Sequence, residues 1–257
     1  MPTYQFINYL SDNGLITITI NRPPHNVLDI VSMEEMGAAL HAAAADPTAK
    51  LVLITGSGEK AFSAGVEVAD HAPDKVERMI QVFGDIFRHL EAIPIPTVAA
   101  LNGVALGGGC ELAIGCDMVV AAAHAKIGQP EIKLGVFPPI AAALLAKLIP
   151  PGKAYELVLG GESLSADEAL RWGLVNKVYA KEEYTSALQS YLAQFLGLSR
   201  VALVFAKKAM RAARDLPFLD GLARADAIYL RELMATEDAQ EGLAAFMQKR
   251  KPMWKNK

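Results

Sequence analysis

The sequence predicts an α/β protein, on three observations. Residues 51–54, Leu-Val-Leu-Ile, form a continuous apolar run of the kind that fills a strand buried on both faces of a parallel sheet. The middle of the chain repeats a loose strand-turn-helix unit without an exact sequence repeat. The last third carries apolar residues three and four apart over long stretches, the period of amphipathic helices. With 52% apolar residues in a chain of 257, a sizeable core is assured, and nothing divides the sequence into two independent units.

The chain opens with two β-rich stretches, residues 4–9 and 15–20, joined by Ser11-Asp12-Asn13-Gly14, a hairpin-type connection. Asn21-Arg22-Pro23-Pro24 ends the second, because paired prolines cannot continue a ladder. Residues 33–45, rich in alanine and halted at Asp46-Pro47, read as a helix. The buried strand at 51–54 follows, then a loop of small residues from Thr55 to Val66. Asp74 is placed to cap a helix over 75–90, with Asp70 and His71 at its solvated start. Residues 97–101 form a short apolar strand, 110–115 a compact apolar helix, and 118–122, 126–128 and 174–178 small strands. Pro138 and Pro139 fix a further helix entry. Ser165-Ala166-Asp167-Glu168 has the form of a capping box, and Trp172-Gly173-Leu174 ends that helix. Helices over 183–197, 201–214, 216–235 and 237–249 complete the chain, with Leu222, Ile228, Tyr229 and Leu233 as core or subunit-interface positions.

Several functions are disfavoured. A net charge of −3, from 25 basic and 28 acidic residues, gives no general pull toward nucleic acid or a membrane surface. Residues 1–9 lack the basic-then-apolar form of a secretory signal, and the longest apolar tract, 140–149, contains Lys147 and is too short to span a bilayer. Cys110 and Cys116 point to different faces and do not suit a disulfide, which fits a cytoplasmic protein. Gly103, Gly107 and Gly109 give no dinucleotide-binding register.

The chemistry concentrates between Pro96 and Val136. Three glycines, Gly107, Gly108 and Gly109, precede a short helix and leave backbone N–H groups uncovered, which makes an anion or oxyanion site. Glu111 lies in the first turn among Leu112, Ala113 and Ile114, where an ionised carboxylate is costly unless it is used or paired. Glu131 lies in a Gly-Gln-Pro-Glu loop. Two carboxylates beside preformed N–H donors are what proton chemistry next to a carbonyl needs.

Asn102-Gly103 through Asp117, and Gly128-Gln129-Pro130-Glu131, resemble the two signature segments of the enoyl-CoA hydratase/isomerase (crotonase) superfamily, with its spacing between the glutamates. The likeness runs from Asn21-Arg22-Pro23 to Phe246-Met247-Gln248-Lys249-Arg250. It implies a spiral of strand-strand-helix turns with a helical C-terminal region: residues 1–199 as the spiral core holding the acyl-CoA site, and 200–257 as a trimerisation region of the same structural unit. It implies Glu111 and Glu131 as catalytic residues, the N–H groups of Val66 and Gly108 as oxyanion hole, and coenzyme A contacts at Arg22, Val27, Ala64, Phe246 and Lys249. No metal or separate cofactor is implied, because coenzyme A travels with the substrate. A homotrimer or dimer of trimers is expected.

Two departures bear on the substrate. The lysine usual after the Ala-Asp-Leu turn is missing, with Ala69 near its place. Where many hydratases have a glycine-rich polar segment, this chain has Val136-Phe137-Pro138-Pro139-Ile140. Phe137 and Ile140, with His71 nearby, are expected to line a drier pocket suited to a cyclic acyl group. These segments, with Val27-Leu28-Asp29 and residues 229–235, resemble the branch of the family that hydrates cyclohexa-1,5-diene-1-carbonyl-CoA in anaerobic aromatic degradation. A straight-chain enoyl-CoA hydratase or isomerase is the runner-up. A non-catalytic acyl-CoA- or RNA-binding scaffold is the alternative of another class, disfavoured by the two carboxylates and by the lack of a basic, aromatic-bearing stripe.

Overall fold

The computed structural model describes residues 3–257. Its first strands, β1 (Ile7–Asp12) and β2 (Leu15–Ile20), form an antiparallel hairpin closed by Asn13 and Gly14, both with positive φ. The first strand therefore starts three residues later than its composition suggests, because the two-residue turn sets the register. Helix α1 (Ile30–Ala45) starts at a capping box between Asp29 and Ser32. Strand β3 (Leu51–Gly56) pairs in parallel with β2 and is buried along its length. Leu51 and Leu53 face one core while Val52 and Ile54 face the other, the period of two that a doubly covered strand requires.

After the short β4 (Ala61–Ser63) and a single 3-10 turn at Val68–His71, helix α2 (Val76–Ala92) packs against α1. Asp74 does not cap it. The chain enters through Lys75, and Asp70, expected in solvent, is buried: its carboxylate accepts from the Ile30 N–H at 3.0 Å and pairs with Lys75 at 3.2 Å. Strand β5 (Thr97–Leu101), β6 (Val104–Leu106) and the wholly buried helix α3 (Gly108–Ile114) follow, then β7 (Met118–Ala122) and β8 (Lys126–Gly128). A 3-10 turn, Pro130–Leu134, leads to α4 (Pro139–Leu148), α5 (Pro151–Gly160), β9 (Ser163–Ser165) and α6 (Ala166–Trp172), whose capping box and left-handed Gly173 are as expected. The last strand is β10 (Lys177–Tyr179).

The strands form two sheets. One has the order β1-β2-β3-β5-β7-β10, parallel after the hairpin; the other has the order β4-β6-β8-β9. Helix α7 (Tyr184–Leu196) covers one face of the larger sheet through Tyr191 and Leu192. Helices α8 (Arg200–Ala213), α9 (Phe218–Arg231) and α10 (Glu237–Met247) complete the chain. The α8 residue Lys207 reaches inward to the Ile95 carbonyl (2.7 Å) and the Asp117 carboxylate (2.5 Å), and Asp117 also accepts from the Thr97 N–H and hydroxyl. One carboxylate thus joins the C-terminal helices to the starts of β5 and β7. Of the α9 positions, Ile228 is buried whereas Leu222 and Tyr229 remain largely exposed. Among the described residues, no single helix is long and apolar enough to cross a membrane.

Candidate active site

The three glycines are each required by a different neighbour. Gly107, at φ +52°, lies so near Glu131 that a Cβ there would sit 2.7 Å from Oε1. At Gly108 a Cβ would stand 2.7 Å from Val66 Cγ2, and at Gly109 it would stand 2.2 Å from the Ser63 carbonyl oxygen. The loop from β6 into α3 is thereby pressed against the Glu131 turn on one side and the Ser63–Val66 segment on the other.

That contact brings two free donors together. Leu28 forms an isolated bridge with Val66: its N–H donates to the Gly65 carbonyl at 2.8 Å and its carbonyl accepts from Glu67 at 2.9 Å. These bonds use the groups on either side of the Val66 N–H and leave it with no protein acceptor among the described residues. Gly108 opens α3, so its N–H has no intrahelical acceptor either. A Cβ on Gly65 would lie 3.5 Å from the Gly108 nitrogen, so the two segments run side by side.

Glu111 is 2% exposed, and its Oε1 accepts from the Ala141 N–H at 2.8 Å, at the start of α4. Burial drives its carboxyl up to about 7; the charge of Glu131 adds to this, and the backbone donors of Ala141 and Ile140 oppose it. Glu131 is half-buried, and burial raises it as well, against a backbone hydrogen bond and, to a smaller extent, the positive charge that His71 carries when protonated. With its amide nitrogen turned toward Glu131, the buried Gln129 donates at 3.2 Å to both carboxylate oxygens. This partner stands in the Gly-Gln-Pro-Glu motif, but a motif alone does not tell which way its side chain turns.

The site opens into a cleft of about 630 Å³. One wall is Val68, Val76, Met79, Ile80 and Phe83; the other runs from Leu134 through Val136 and Phe137 to Pro139. Ala64, Val66, His71, Gly108, Glu111, Glu131 and Phe137 all border it. Ile140 is not among the residues that border it: it packs half-buried against the main core and also borders a shallow depression with Phe87, Arg88 and Glu91.

The expected coenzyme A contacts divide. Ala64 borders the cleft, whereas Arg22 and Val27 lie outside it. The Arg22 guanidinium pairs with Asp29 at 3.1 Å, donates to the Val27 carbonyl at 3.1 Å and packs over Phe6. Phe246, in the last turn of α10, and Lys249, just beyond that helix, are exposed and do not border the cleft. The adjoining Arg250 is held by both oxygens of Glu241, at 2.6 and 2.8 Å, so the basic tail is strapped to its own helix.

Such a cleft can stabilise charge on a carbonyl oxygen while moving protons an atom or two away, the work of enzymes that add or remove water beside an acyl group. The family model for enoyl-CoA hydratase/isomerase matches residues 11–257, and the chain belongs to that family. It is 34% identical over 264 residues to a carnitinyl-CoA dehydratase of Salmonella typhi, covering 97% of this chain and 98% of that one. Its fold superposes on an enoyl-CoA hydratase of Bacillus anthracis with a TM-score of 0.93 at 31% identity, over 98% of this chain and 100% of the other. A Magnetospirillum magneticum protein described as an enoyl-CoA hydratase/carnithine racemase gives 0.90 at 28% identity, over 99% and 97%. The α/β architecture with a helical C-terminal region is thus the crotonase fold, and the chain is a hydro-lyase type of enzyme.

Proposed function

We propose that this cleft adds water to an α,β-unsaturated acyl-CoA whose acyl group is a flat ring, cyclohexa-1,5-diene-1-carbonyl-CoA being the first choice. The thioester oxygen is held by the N–H groups of Val66 and Gly108, which stabilise the enolate-like transition state; one such donor is worth about 3–4 kcal/mol in catalysis. Glu111 and Glu131 share the proton work. Burial raises both, Glu111 to about 7, which favours a proton being held at the site, as a step that both removes and delivers a proton requires. No metal or redox group enters the scheme. Coenzyme A is part of the substrate.

The observation that carries the reading is the meeting of two unpartnered N–H groups with two carboxylates in a cleft whose other walls are apolar. The ring is favoured by the lining: Met79, Phe83, Phe137 and Pro138 all border the cleft, and an apolar surface of this kind suits a planar hydrocarbon group that loses little freedom on binding. A second reading comes from the name of the Salmonella relatives, since dehydration of carnitinyl-CoA is the reverse of adding water to the corresponding unsaturated thioester. The two differ in charge, because a carnitinyl group carries a fixed cation and this cleft also holds Lys133.

Mass spectrometry of products from ring dienoyl-CoA, crotonyl-CoA and carnitinyl-CoA tests both readings. Fast crotonyl-CoA hydration without ring turnover ends the ring proposal, and selective carnitinyl-CoA dehydration replaces it with the second. Glu111→Gln and Glu131→Gln should each lower turnover by orders of magnitude while a saturated acyl-CoA still binds. A pure acyl-CoA scaffold would show no turnover to lose. Trimer formation through residues 200–257 belongs to the same proposal, and a monomer in sedimentation at micromolar concentration would contradict it.

A further inference from the structure

We infer that His71 determines specificity in the cleft by accepting a hydrogen bond from a hydroxyl carried on the acyl group. The inference rests on the reading of the cleft as an acyl-CoA site and adds the class of acyl group that it selects. His71 closes the 3-10 turn Val68–His71 and borders the cleft. Its Nδ1 lies 3.2 Å from the Glu67 carbonyl oxygen. A carbonyl oxygen only accepts, so Nδ1 carries the hydrogen, and in the neutral ring Nε2 is left with a lone pair. Among the described residues, Nε2 has no hydrogen-bond partner in the protein.

The ring is also held in place. Glu67, whose carbonyl fixes Nδ1, is tied through its own N–H to Leu28, and the neighbouring Asp70 is buried against the Ile30 N–H and Lys75. Every other polar side chain on the cleft wall is committed: Glu111 to Ala141, Glu131 to Gln129, and Lys133 to Glu162 at 2.7 Å. The two carboxylates are further reserved for protons. Whenever its imidazole is neutral, His71 therefore supplies an acceptor of fixed tautomer on a largely apolar wall, and a half-buried acceptor left without a donor is penalised when substrate displaces its water. A hydroxylated acyl group meets that need and its plain counterpart does not. In the proposed reaction it is the hydroxyl that added water leaves on the ring.

Binding of saturated, unreactive thioesters tests this apart from catalysis. Isothermal titration of the full-length protein would compare cyclohexanecarbonyl-CoA with its 3- and 4-hydroxy derivatives, and pentanoyl-CoA with 5-hydroxypentanoyl-CoA. In the parent protein at least one hydroxylated member should bind about tenfold tighter than its plain partner, the worth of one neutral hydrogen bond. His71→Leu should bring that ratio to about one, the hydroxylated member losing affinity and the plain thioester binding as tightly as in the parent or more so. His71→Gln, whose amide can donate to Glu67 and still accept, should restore part of it. Equal binding of plain and hydroxylated members in both series overturns the inference, as does a parallel loss for both members in His71→Leu, which would mark a structural role. Failure of the hydratase reading looks different: the binding ratio would stand while unsaturated thioesters are not turned over. Absence of binding for every thioester would overturn both.

Discussion

Replacing Glu111 by Gln should change how stability depends on pH. In the folded protein the Glu111 carboxyl is raised from its ordinary 4.5 to about 7, with burial the main cause. A group with a raised folded pKa stabilises the fold fully below its unfolded value, and that contribution is lost as pH climbs through the folded value. At about 1.4 kcal/mol per pH unit, the whole effect is about 3 kcal/mol, most of it lost between pH 5 and 8. Gln keeps an oxygen for the Ala141 N–H and never ionises. The variant should therefore match the parent near pH 4.5 and exceed it at pH 8 by roughly 2–3 kcal/mol, or about 5–10 °C in Tm for a chain of this size. Scanning calorimetry at a series of pH values would read this. A difference in Tm that stays constant from pH 4.5 to 8.5 would refute the claim that burial of Glu111 is what raises it.

Three other outcomes follow from the same geometry. Gly107→Ala should place a methyl against Glu131 Oε1 and lower kcat by about a hundredfold, with saturated acyl-CoA binding largely kept; unchanged kcat would show that Glu131 has room to move. Phe137→Ser should admit water and cut turnover of a ring thioester more than that of crotonyl-CoA, whereas equal losses would make Phe137 mere packing. Asp117→Asn should strand the buried Lys207 and cost about 3–5 kcal/mol in urea unfolding, with Lys207→Met added to it recovering part of the loss.

Strands were legible where apolar runs were uninterrupted: Thr97–Leu101 and Met118–Ala122 lie where the sequence puts them, as does the shorter Lys126–Gly128. Strand β6 was not, because three residues between Asn102-Gly103 and the triple glycine are too few to show a period. At the site, the residue types and spacing of Glu111, Glu131 and the glycines were readable, since each carries its chemistry in its own motif. What holds them was not. The Ala141 N–H comes from thirty residues beyond Glu111, and the Leu28 bridge comes from the far side of α1; only tertiary packing brings either into place. Asp70 and Asp74 show the same limit, since both suit a helix start, yet Ile30, distant in sequence, claims the first and leaves the second idle.

The bridge at Leu28 sets the aim of a group that it never touches. A peptide unit is planar and trans, so its C=O and N–H point in opposite directions. Once the Gly65 carbonyl is fixed on the Leu28 N–H, the Val66 N–H of that same plane is turned the other way, toward the cleft. The second donor is built alike, for the Gly107 carbonyl accepts from the Glu111 N–H at 2.9 Å and thereby orients the Gly108 N–H. Each rigid plane works as a lever with its far end pinned, and hydrogen bonding at the oxygen polarises the amide and strengthens the donor opposite. The backbone of Glu111 thus aims one donor while its side chain shares the proton work, so a shift of that one residue would disturb both at once.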